Sequence, residues 1–233
     1  MRKSALRWMV VFTVFMLAIP YTGLADAELY IRGDENVKKI SITIDDCWEM
    51  RRITEYLDIC KEYGVRTTLF PVGRAIKEEY ADIWRRAVEE GHEIGNHTYS
   101  HPDLSGLSAD KVVEELRKME QRLNDVLGFE YKVKVMRPPY GALNGRVRSA
   151  VEQAGYNNVV KWDVQMQSPN GIMRQVGNGS IILFHALKED IECIREVIPR
   201  LLEEGYEIVP VSELLGMTDT EADAATEAGS AGL

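Results

Sequence analysis

Two adjacent carboxylates, Asp45 and Asp46, end an apolar run carrying Ile40, Ile42 and Ile44. Like charges this close repel each other and are costly to hold together unless a cation lies between them. Taken alone, the pair could equally supply a cap for the helix that follows. The histidines shift the balance towards a cation. His97 and His101 are four residues apart and can reach one ion from a helix or a tight loop. Two imidazoles and one carboxylate form a ligand set for a catalytic metal with an open coordination position. Of the four histidines in the chain, a third, His185, ends another apolar run, and His92 falls on the opposite strand face from His97 and reads as structural. Arg137-Pro138-Pro139-Tyr140-Gly141 adds a permanent cation and a turn stiffened by two prolines, able to point a backbone N–H at a reacting oxygen. A plain rigid turn explains those five residues as well.

These groups need strand ends to carry them, and the pattern supplies such ends. Residues 40–45 read as a strand, followed by a helical pattern through Met50, Ile53, Tyr56, Leu57 and Cys60 that Gly64 stops. Further strands are predicted at 66–70, 93–96, 132–136, 158–162, 181–184 and 207–211. Helices are predicted through Trp84 and Ala87 to Gly91, from Ser108 to Gly128, and over 147–154 and 190–204. Strands that alternate with helices imply an α/β fold with a parallel sheet and helical crossovers. About seven strands in roughly 190 residues favour a barrel, not necessarily complete, whose active site lies at the C-terminal strand ends. Period two turns Ile40, Ile42 and Ile44 towards outer helices and Ser41, Thr43 and Asp45 towards the interior.

Composition limits the remaining choices. With 233 residues, 45% hydrophobic and 28% charged, the chain suits one soluble domain with a full core. Its net charge of −9, without Lys/Arg clusters, argues against nucleic acid and anionic membrane as partners, and a monomer is expected. Three cysteines, Cys47, Cys60 and Cys193, are too few for a disulfide framework; one bridged pair, or buried thiols with one near the site, are both open. Arg2, Lys3 and Arg7, an apolar run from Trp8 to Ile19 and the small-x-small triplet Ala25-Asp26-Ala27 read as a signal peptide over 1–27. The apolar run is about twelve residues, short of the roughly twenty that cross a bilayer, so a short retained anchor is the second choice. Either way the protein is expected to be exported, secreted or cell-surface associated. Residues 218–233, small, polar and acidic, read as a disordered tail.

Thr43-Ile44-Asp45-Asp46, His97-Thr98-x-x-His101, Arg137-Pro-Pro-Tyr-Gly141 and Leu183-x-His185 together resemble the polysaccharide deacetylases, the NodB-homology domain of carbohydrate esterase family 4. The resemblance spans about 38–215 and rests on four motifs in order. It implies a distorted (β/α)7 barrel as a single catalytic domain, with a divalent metal, most often Zn2+, held by Asp46, His97 and His101. It further implies Asp45 as catalytic base, Arg137 as the cation paired with it, the Tyr140 backbone N–H in the oxyanion hole and His185 as general acid. Leu183 and Trp162 would line the acetyl pocket. The implied reaction is metal-assisted hydrolysis of N-acetyl groups on a polysaccharide such as peptidoglycan or a chitin-like glycan. A carbohydrate-binding relative with impaired catalysis, or a hydrolase of small amides, would use the same scaffold. Two departures stand out. Cys47 occupies a position that is usually Gly. The segment Trp162-Asp163-Val164-Gln165-Met166-Gln167-Ser168-Pro169 lacks both acids and the second Trp of the family's Trp-x-Val-Asp-x-x-Asp-Trp. Within that segment Asp163 is the nearest carboxylate for His185, although strand parity can point it elsewhere.

Overall fold

Alternating strand and helix signals resolve, in a computed structural model describing residues 27–217, into parallel strands flanked by helices. The predicted tail lies outside the described residues, as does the predicted leader apart from Ala27. In chain order the elements are β1 (Glu28–Tyr30), β2 (Lys39–Asp46), α1 (Met50–Tyr63), β3 (Thr68–Pro71), α2 (Ala81–Glu89), β4 (Glu93–Ile94), α3 (Ala109–Leu127), α4 (Gly145–Ala154), β5 (Asn158–Val160), α5 (Pro169–Gln175), β6 (Ile181–His185), α6 (Lys188–Glu203), β7 (Glu207–Ile208) and α7 (Val211–Leu214). Gly64, left-handed at φ 65°, ends α1 where the sequence places its stop.

Every strand pair is parallel. One sheet runs β4-β3-β2-β6 with β7 also on β2, and β1 pairs with β5 separately. Isolated bridges connect the two: Asn96 to Met136, Met136 to Val159 and Val164 to Ile182. The α/β class is therefore the predicted one, in distorted form, and among the described residues the strands do not close into a continuous ring. The strand predicted over 132–136 reduces to the bridge at Met136. Pro138 and Pro139, which have no N–H, follow directly, and Lys132 on the approach is exposed. β1, absent from the sequence reading, fills the edge beside β5.

Side-chain alternation on β2 divides the core. Ile42 and Ile44 pack outwards with Ile53 and Leu57 of α1 and with Ile194 and Ile198 of α6. Each such fully buried side chain contributes about 1.5–3 kcal/mol. A second cluster joins α3 and α4 through Val112, Leu116, Val147 and Val151. On the other face, Phe70, Val135, Val160 and Ile181 form a small cluster of their own, and the buried Arg137 guanidinium lies 4.2 Å from the Phe70 ring centroid.

Candidate active site

The chemistry-bearing residues collect at the C-terminal ends of the parallel strands. Asp45 and Asp46 end β2, His97 and His101 follow β4, Arg137 follows the Met136 bridge, and His185 ends β6. Asp45 and His185 are register partners on neighbouring strands, as are Thr43 and Leu183.

Arg137 organises the buried side of this cluster. Its Nη1 donates to Asp45 Oδ1 and to Thr43 Oγ1, each at 2.7 Å, and its Nη2 donates to the Lys161 carbonyl at 3.0 Å. Burial lowers the guanidinium pKa and Asp45 counters it. The Arg137 carbonyl lies 2.7 Å from His97 Nδ1. A carbonyl can only accept, so Nδ1 carries the proton, and the Nε2 of a neutral His97 presents a lone pair to the carboxylates. That Nε2 is 3.5 Å from Asp46 Oδ1 and 3.7 Å from Asp45 Oδ2; His101 Nε2 is 3.2 Å from Asp46 Oδ1.

Ligand atoms of Asp46, His97 and His101 all lie within 4.8 Å of one another. Asp46 Oδ1 is buried and has no hydrogen-bond partner among the described residues. An imidazole lone pair facing such an oxygen is an arrangement that a cation completes, so the residues fit a metal ion. Burial by itself would raise the Asp46 carboxyl; the His101 and His97 rings, were they protonated, would outweigh it and lower the group, a part that a cation between them would take over.

Backbone strain concentrates here. Among the described residues the non-glycine positions with positive φ are Asp46, Cys47, Thr98, His101 and Tyr140, with φ between 58° and 67°. All five are metal-ligand candidates, their chain neighbours, or the tyrosine beside His101. Non-glycine residues in this region cost of order 1–3 kcal/mol each and persist where the surroundings over-determine them. Tyr140 is 72% exposed, its ring meets His101 edge-on at 4.7 Å, and its hydroxyl lies 3.2 Å from His101 Nδ1. Cys47 is buried with its thiol pKa pushed up, first by burial and then by Asp45 and Asp46. Cys60 and Cys193 are also buried and unbridged.

The family model described as polysaccharide deacetylase matches residues 32–159. The chain belongs to the polysaccharide deacetylase family. It is 30% identical over 210 residues to a peptidoglycan-N-acetylglucosamine deacetylase of Bacillus cereus, covering 84% of this chain and 74% of that one. It is 30% identical over 191 residues to a peptidoglycan-N-acetylmuramic acid deacetylase of Bacillus subtilis, covering 78% of this chain and 39% of that protein. Among solved structures, a pseudoenzyme of carbohydrate esterase family 4 from Bacillus anthracis superposes with a TM-score of 0.74 at 26% identity, over 82% of this chain and 70% of that one.

Against this family background the altered segment after β5 becomes informative. His185 and Leu183 line a cavity of about 360 Å³ together with Gln165, Met166, Gln167 and Asp190. Trp162 stands elsewhere, 5.6 Å from the Arg137 guanidinium and next to Gly141. Asp163, the carboxylate that the altered segment offers, does not serve His185. It accepts from the Ile181 N–H and the Ser180 hydroxyl and pairs with Arg32 at 3.2 Å. Strand geometry turns it to the start of β6, away from the strand's end. The carboxylate that meets His185 is the buried Asp190, in the first turn of α6, and it does so at the backbone: its Oδ2 accepts from the His185 N–H at 2.8 Å. Sequence reasoning missed Asp190 because it lies beyond the segment where the family pattern places its acids. An acid five residues after His185 at the head of a predicted helix was the available signal.

Proposed function

We propose that this family member is an exported, metal-dependent deacetylase that removes N-acetyl groups from a cell-surface polysaccharide, peptidoglycan or a chitin-like glycan. The observation that supports it best is the convergence of Asp46, His97 and His101 on one point, with Asp45 beside them. In this reading residues 38–215 form the catalytic domain behind a signal segment, and the partner is an N-acetylated polysaccharide.

Asp46, His97 and His101 would hold the ion, zinc being the choice that two imidazoles and a carboxylate favour. When bound, such an ion polarises a carbonyl and makes water acidic enough to attack at neutral pH. The chain supplies the proton transfers. Arg137 pins Asp45 Oδ1, which leaves Oδ2, on the His97 side, to accept the proton of the attacking water. The Tyr140 N–H, set by its left-handed turn, would donate to the developing oxyanion. His185, register partner of Asp45, would deliver a proton to the leaving nitrogen, held by Asp190 at its backbone. Leu183 would contact the acetyl methyl, and Trp162 would back Arg137 from outside that cavity.

A second reading, a carbohydrate-binding protein with impaired catalysis, draws on Gln165, Ser168 and Pro169, which stand where the resemblance expects two acids and a tryptophan. One of the similar solved structures is itself called a pseudoenzyme. Acetate release from N-acetylated glycans by metal-reconstituted protein decides between the two. Release that Asp45→Asn abolishes is the expected result, and glycan binding without turnover supports the second reading.

A further inference from the structure

We infer that Glu115, on the outer helix α3, is a positioning residue that presets the His97–His101 loop for its metal. The inference rests on the metal reading proposed above and adds a part that no motif contains. The loop makes a tight reversal with Thr98 at φ 65° and His101 at φ 62°, so regular backbone pairing is closed to it. Its amides turn to side chains instead. Thr98 N–H donates to Asn96 Oδ1 and His101 N–H to Thr98 Oγ1, both within the segment. The two central amides go to Glu115: Oε2 accepts from Tyr99 N–H at 3.1 Å and from Ser100 N–H at 2.7 Å, and Oε1 accepts from the Ser100 hydroxyl at 2.8 Å.

The carbonyl side is held from the opposite direction. Gly73 N–H donates to the Thr98 carbonyl and Arg74 N–H to that of Tyr99. A Cβ on Gly73 would sit 2.7 Å from the Tyr99 ring, so the close approach needs glycine. One residue further along α3, the Leu116 carbonyl accepts from Asn96 Nδ2. The stretch between the two imidazoles is thus gripped on both edges, and among the described residues the grip on its amide edge from outside the segment is Glu115. Releasing it frees two buried-side amides and lets the left-handed residues relax, which separates His101 from His97 and Asp46. Outer-sphere groups that orient ligands typically set metal affinity by about tenfold to a hundredfold.

The experiment measures Zn2+ affinity of the metal-stripped full chain by chelator competition, and amide exchange at Tyr99 and Ser100 in the metal-free state. Glu115→Ala and Glu115→Asp, the latter one methylene short with its charge kept, should each weaken Zn2+ binding at least about tenfold and speed exchange of both amides. Glu115→Gln, which keeps an oxygen for the two amides and an NH2 for Ser100 Oγ, should remain close to wild type in both readings. If His101→Ala abolishes binding but Glu115→Ala and Glu115→Asp bind like wild type, the Glu115 inference is overturned and the metal reading stands. If the wild-type chain binds no Zn2+, both fall. Should Glu115→Ala not fold, the Asp and Gln pair decides: equal affinity in the two sinks the inference.

Discussion

His97 donates from Nδ1 to the Arg137 carbonyl across 2.7 Å, while the guanidinium of the same arginine donates to Asp45 Oδ1, also at 2.7 Å. One residue therefore sets the tautomer of a metal-ligand candidate with its backbone and the direction of the neighbouring carboxylate with its side chain. The pairing is fully buried, so neither charge is screened by solvent.

Removal of one partner should be expensive for that reason. Arg137→Met leaves Asp45 buried without its cation and should lower unfolding free energy by about 3–5 kcal/mol, read by urea denaturation at neutral pH. Arg137→Met with Asp45→Asn together should recover a large part of the loss, since the unpaired charge is gone. A loss below about 1 kcal/mol for the single variant would count against the pair as a structural element.

Metal should stabilise the fold as well as serve chemistry. At a thousandfold excess of ion over its dissociation constant, linkage predicts about 4 kcal/mol of added stability, seen as a higher melting temperature. Stripping the ion should reverse it. His97→Ala should melt at the same temperature with and without Zn2+, and a shift retained in that variant would place the ion elsewhere.

Asp190 offers a test of how His185 is held. Asp190→Asn retains an oxygen to accept from the His185 N–H, and Asp190→Ala does not. kcat for acetate release should fall by roughly an order of magnitude in the Ala variant and stay within a few-fold of wild type in the Asn variant, with KM little changed in both. Equal losses in the two variants would show that the negative charge, not the backbone contact, is what matters.

His92 predicts an acid-side weakness far from the site. Burial holds its imidazole down to about 4, and its Nδ1 accepts from the Thr67 N–H at 3.2 Å, which commits it to the neutral form. The unfolded chain binds a proton there below about 6.5 and the folded chain does not, so stability is full above 6.5 and drains as pH falls towards 4. The contribution is of order 3 kcal/mol. Glu93 beside it works in the opposite sense, because burial raises its carboxyl. Comparing wild type with His92→Gln across this window isolates the histidine: the variant should lose less stability between pH 6.5 and 4. Parallel curves would remove His92 as the cause.

Much of this was legible in residue order. The alternation of β-branched runs with helical periods fixed the α/β class, because each period can bury only one kind of face. Period two on β2 separated Ile42 and Ile44 from Thr43 and Asp45, and the structure puts the former against helices and the latter on Arg137. The positions of Asp45, Asp46, His97, His101, Arg137 and His185 at strand ends follow from the same pattern. Tertiary structure alone decided three further points. It set how open the distorted barrel is, leaving two sheets joined by single bridges at Met136 and Val164, with Pro138 and Pro139 ending any pairing beyond Arg137. It turned Asp163 towards Arg32 and brought Asp190 to His185, a choice made by strand direction and by where α6 begins. It also joined Glu115 to Tyr99 and Ser100, two segments whose hydrogen bonds become obligatory only when the loop's own backbone cannot satisfy them. Period and spacing are local and survive in one dimension, whereas hydrogen-bond satisfaction between distant segments exists only once the chain has folded.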